Sequence, residues 1–60
     1  MTKPTPQQLK QTRKEAGLTQ TQAADVLNKT LRTWQYWESG TVPMDPNLYE
    51  LFIMKLENMK

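Results

Sequence analysis

The chain has 60 residues, eight Lys or Arg against six Asp or Glu, and a net charge of +2. It has neither cysteine nor histidine, which excludes disulfides, thiolate zinc sites and the usual histidine-based catalytic centres. One small domain spanning 1–60 is expected, burying only about 60% of the surface of its unfolded chain, so helix packing, with or without oligomerisation, must supply its stability.

Six scattered carboxylates with no His or Cys offer no acid–base pair, so an enzyme is not expected and neither a cofactor nor a metal is called for. No apolar run approaches the roughly 20 residues that span a bilayer, and the N-terminus MTKPTPQQ lacks the apolar core of a secretory signal. A cytoplasmic protein without a membrane partner is the expectation. Charge is unevenly spread: residues 1–37 hold six basic and two acidic side chains, and residues 38–60 hold two and four. A basic half beside an acidic half suggests one side that faces a polyanion.

In chain order, the first helix opens at Thr5-Pro6-Gln7-Gln8, an N-cap, a proline at the first helical position and a capping-box glutamine. It should run to about Ala16, where Gly17 supplies a left-handed stop. Thr19 opens the second helix, with Gln22 closing another capping box. Ala23, Ala24 and Leu27 form its apolar face, and the small pair permits a close helix crossing. Asn28 then takes the positive φ of a corner about three residues long.

Thr30 caps a third helix that should end near Ser39, with Gly40 as its stop. Trp34 and Trp37 are three apart and point to the core, which leaves Leu31, Arg32, Gln35 and Tyr36 outside. After a loop, Asp45-Pro46 opens a fourth helix from 46 to about 58. No strand alternation appears. The fold expected is all-α, with a helix-turn-helix over about 19–39.

That layout predicts a third helix inserted in the major groove of double-stranded DNA. Arg32 suits guanine O6 and N7, Gln35 suits adenine, Leu31 a thymine methyl, and Tyr36 completes the base-reading face. Gln20, Lys29, Thr30 and Thr33 sit at or beside helix N-termini where backbone N–H groups and the helix dipole favour phosphate, and Lys10 adds a basic strip with Lys14. Arg13 and Glu38 adjoin apolar positions and read as an internal ion pair. In the fourth helix the apolar residues cover about 200° of arc, twice what one core needs. Tyr49, Phe52, Ile53, Leu56 and Met59 are therefore expected at a homodimer interface. A two-fold pair would set two reading helices about 34 Å apart on an inverted-repeat operator.

Leu18-Thr19-Gln20, Ala24, Leu27 and Trp37-Glu38-x-Gly40 resemble the helix-turn-helix family of phage repressors and Cro proteins, over residues 9–52. The resemblance implies a compact four-helix, lambda-repressor-like domain. It implies phosphate contact by Gln20, base-edge contact by Leu31, Arg32 and Tyr36 and less regularly Gln35, and an Arg13–Glu38 ion pair. The stretch RTWQYWESGTVPMDP is similar to small regulators that include anti-CRISPR-associated autorepressors. The chain departs from the family at Asn28, usually Gly, at Ala23, often a bulky aliphatic, and at Trp34, usually Ile or Val. Sixty residues also leave no room for the fifth helix that carries the usual dimer contact. The function expected is a DNA-binding transcriptional regulator, acting as a homodimeric repressor. An antitoxin whose C-terminal apolar surface holds a toxin, and a protein-interaction module, are the alternatives.

Overall fold

The structure is a computed structural model that describes residues 3–59. Four helices follow one another: α1 Pro6–Glu15, α2 Gln20–Val26, α3 Leu31–Ser39 and α4 Pro46–Asn58. No strand occurs among the described residues, and no helix among them is long and apolar enough to cross a membrane.

Each helix begins where a side chain can satisfy backbone N–H groups that have no partner within the helix. Thr5 accepts from the Gln8 amide at 3.1 Å while Gln8 accepts from the Thr5 amide at 3.0 Å. Thr19 and Gln22 repeat this reciprocal pair at 3.1 and 2.9 Å. Thr30 caps α3 through the Thr33 amide at 3.3 Å, and Asp45 caps α4 through the Asn47 amide at 2.8 Å.

The helix ends are equally local. α1 stops one residue before the expected Ala16, which becomes the C-cap. Asn28 adopts φ +56° in the corner between α2 and α3. There the amides of Leu27 and Lys29 both donate to the Ala24 carbonyl, at 3.1 and 2.9 Å, closing the last turn of α2. Gly40 has φ +83°, and a Cβ placed on it would lie 3.5 Å from the Pro6 ring, an ordinary contact. Conformation, not space, is what glycine supplies at that position.

The core is Leu9, Ala23, Ala24, Leu27, Trp34, Trp37, Met44 and Phe52. Trp34 sits at its centre, fully buried, edge-on to Trp37 at a ring separation of 5.7 Å and tilted against Phe52 at 5.0 Å. Ala23 and Ala24 are also fully buried. The small α2 face therefore lies in the same core as the large Trp34 indole. Burying an aromatic of this size removes on the order of 200 Å² from water, a gross gain of about 5 kcal/mol.

One core residue was overlooked and one expectation needs correction. Met44 lies in the loop expected between α3 and α4, yet it is buried, with 3% of its surface exposed. It precedes the Asp45 cap as Tyr49 follows at the fourth helical position, the spacing of a hydrophobic staple. Phe52, expected at a dimer surface, has no exposed area because it packs into the core against Trp34. It is a core residue and has nothing to offer a partner. Tyr49, Ile53 and Leu56 are half-buried and Met59 is exposed, while Leu51 and Met54, left out of that interface, are among the most exposed apolar residues of α4.

Candidate nucleic-acid interface

Leu31, Arg32, Gln35 and Tyr36 are all exposed. At 100° per residue they occupy one continuous arc of α3, opposite the arc that carries Trp34 and Trp37 into the core. Leu31 and Tyr36 are 40% and 41% exposed. Large apolar side chains beside an arginine on a solvent face are better suited to contact than to solvation.

Three of the five residues expected on phosphate, Lys29, Thr30 and Thr33, lie at the N-terminal end of α3. Thr30 and Thr33 share a hydroxyl hydrogen bond at 3.0 Å, and Lys29 lies exposed in the corner immediately before them. Lys10 is placed on the outer face of α1, where it lines a shallow depression with Gln7, Gln11, Lys14 and Glu15.

Beneath the exposed face of α3 lies a polar hub on Glu38. Arg13 grips the carboxylate with two donors, Nε to Oε2 at 2.6 Å and Nη2 to Oε1 at 3.3 Å, and its Nη1 donates to the Leu18 carbonyl at 2.9 Å. The Trp34 indole N–H, one turn away on the same helix, donates to Oε2. Gln20 Nε2 donates to Oε1 at 3.2 Å. Both oxygens are thus filled by groups from α1, α2 and α3, and the side chains of Arg13 and Glu38 are only 11% and 5% exposed.

Burial pushes the Glu38 carboxyl up, but the hydrogen bonds from Arg13, Trp34 and Gln20 and the charge of Arg13 outweigh it, and hold the group below its ordinary value. Glu38 therefore stays ionised at neutral pH, and the hub joins the three helices in one geometry.

The hub engages two residues of the expected DNA-contact set. Gln20, expected on phosphate, is half-buried. It spans from Glu38 to Gln35, whose Nε2 donates to Gln20 Oε1 over a long 3.5 Å. One Gln20 N–H remains for a phosphate oxygen. The role of Trp34 in the hub escaped the sequence reading, although its spacing of four residues from Glu38 on one helix carried the signal. The bond from Lys55 Nζ to the Val26 carbonyl at 3.1 Å also escaped. It joins α4 to the C-terminal end of α2, where a cation complements the helix dipole, and it left no local trace in the sequence.

Two short helices set at a tight corner, the second held by a buried hub with its polar face outward, define a helix-turn-helix DNA-binding domain. Residues 7–53 match the family model described as a helix-turn-helix domain, and the chain belongs to that family. Among characterised proteins, the type II methyltransferase M.MspI of Moraxella sp. is 40% identical over 53 residues, which is 88% of this chain and 13% of the methyltransferase. The chain thus spans about an eighth of the length of that relative.

Proposed function

We propose that the protein is a sequence-specific regulator of transcription that places α3 in the major groove of double-stranded DNA and represses by occupying a promoter as a homodimer. The observation that carries this reading is the α3 arc of Leu31, Arg32, Gln35 and Tyr36, exposed together above the buried Glu38 hub. Arg32 donates two bonds to a guanine, Gln35 pairs with an adenine, and Leu31 and Tyr36 supply apolar contact to the groove. Lys29, Thr30, Thr33 and Gln20 hold the helix in register on phosphates.

The chain has no catalytic role of its own in this reading. Similarity to a stretch of a methyltransferase fits, since most of that relative lies outside the match. Autorepression of the phage-regulator kind, within the cytoplasm, is the finer form of the proposal. Selection of bound duplexes from a random pool tests it. An inverted repeat with half-sites one helical turn apart, about 34 Å, is the expected result, and a pool without enrichment refutes sequence-specific binding.

A second reading is favoured by a groove of about 510 Å³ between the end of α1 and α4, lined by Leu18, Ile53, Leu56 and Met59 together with Glu15 and Glu57. An antitoxin would hold its toxin there. Co-expression with the neighbouring gene product discriminates: a stoichiometric complex that Met59→Glu disrupts supports the antitoxin reading.

A further inference from the structure

With Phe52 tilted against Trp34 and Leu48, Tyr49 and Leu56 packed against the core, the solvent side of α4 is reduced to a narrow strip. Asn47, Leu51, Met54 and Asn58 recur at intervals of four, three and four residues, and all four are exposed. Leu51 is 40% and Met54 58% exposed. This is the a/d spacing of a two-stranded coiled coil, with an apolar centre and an amide at either end.

The flanks of the strip carry opposite charges. Glu50 and Glu57 lie on one side of the seam and Lys55 on the other. In an antiparallel pair, like flanks meet, so Glu50 and Glu57 of one copy would oppose the same residues of the other. In a parallel pair, opposite flanks meet, and Glu50 faces the position five residues on in the second chain, which is Lys55. Lys55 spends one of its three donors on the Val26 carbonyl, leaving two for a carboxylate.

We propose that α4 is a homodimer seam in which two copies of this chain pack in parallel about a two-fold axis along the helix. Leu51 meets Leu51 and Met54 meets Met54 of the second copy, and the Glu50 of each copy bonds the Lys55 of the other. The proposal rests on the homodimer reading above and assigns its face and direction. The occupant is a second copy because the strip complements itself in charge and in its terminal amides. A helix of 13 residues is about 20 Å long, so the seam buries less than the roughly 800 Å² per partner of a stable complex. The dimer is therefore weak in free solution and is consolidated when both copies are on DNA.

Sedimentation equilibrium across a concentration series, with circular dichroism to confirm folding, tests the seam. Glu50→Lys and Lys55→Glu should each weaken dimerisation about tenfold, since two flanking ion pairs become repulsive. Mixing or combining the two should restore it, because attraction between the flanks returns with its sign reversed. Leu51→Gln with Met54→Gln should leave a folded monomer, whereas Met59→Gln, in the α1–α4 groove, should leave the dimer intact. A dimer that survives the Leu51/Met54 change but not the Met59 change places the interface in the groove and overturns the seam. Single charge reversals without rescue in combination overturn the parallel direction. A wild-type chain that is monomeric both free and on an inverted-repeat duplex overturns the homodimer reading itself.

Discussion

Glu38→Gln is the sharpest perturbation of the fold, because it removes one charge and changes almost no volume. The carboxylate accepts from Arg13, Trp34 and Gln20, and the substitution replaces one accepting oxygen with an NH₂ that faces donors. It also leaves the Arg13 guanidinium, 11% exposed in its side chain, without a counter-charge. Removing one partner of a buried pair costs about 3–5 kcal/mol. The amide retains one acceptor, so about 3 kcal/mol is expected. A 60-residue domain has only about 3–9 kcal/mol in all, at about 0.05–0.15 kcal/mol per residue. The variant should therefore be marginal.

Urea unfolding followed by the fluorescence of the two core tryptophans, Trp34 and Trp37, measures this difference directly. The pH dependence supplies a second, independent readout. Glu38 is held below its ordinary value of 4.5, so the unfolded chain takes up its proton first as the solution is acidified. The contribution of the carboxylate is complete above that ordinary value and is lost as pH falls through the folded-state value. Wild-type stability should drop over this acid window, and the gap to Glu38→Gln should narrow with it. A loss below about 1 kcal/mol at neutral pH, where 3–5 is typical of a broken buried pair, would refute the hub as the lock of the three helices. So would a gap that is independent of acid.

Three further outcomes are expected. Arg32→Ala should cost about 1–3 kcal/mol of DNA binding and relax preference at one base pair, whereas Lys29→Ala should weaken all sequences alike and reduce the salt slope by about one; titrations at several salt concentrations separate the two. Met44→Ala should cost about 2–5 kcal/mol in chemical denaturation, the range of a buried methionine, although the residue lies in a loop. Asn28→Ala should cost about 1 kcal/mol, and Asn28→Gly close to nothing, in thermal melts, because only the backbone conformation at φ +56° is at stake.

What was legible in the sequence was what is decided within one turn of chain. Thr5, Thr19, Thr30 and Asp45 announce helix starts because a cap and its amides are two or three residues apart. Asn28 and Gly40 announce reversals by their tolerance of positive φ. The outer face of α3 followed from placing Trp34 and Trp37 inside. Illegible features depend on which elements meet. The excess apolar arc of α4 was evident from its periodicity, but periodicity does not divide such an arc between core and surface. The position of Trp34 does, by taking Phe52 inward and turning Leu51 and Met54 outward. In the same way Gln20 was read at a helix end with a free side chain, and the hub on α3 draws it back toward Glu38.

The central claim is that the α3 face reads base edges in the major groove, and guanine N7 lies only there. Methylation interference on a selected duplex, with wild type and Arg32→Ala side by side, tests it most directly. The expected result is a guanine in each half-site whose N7 methylation blocks the wild-type protein and no longer matters to the variant. Identical patterns for the two proteins, or interference confined to minor-groove adenine N3, would contradict it.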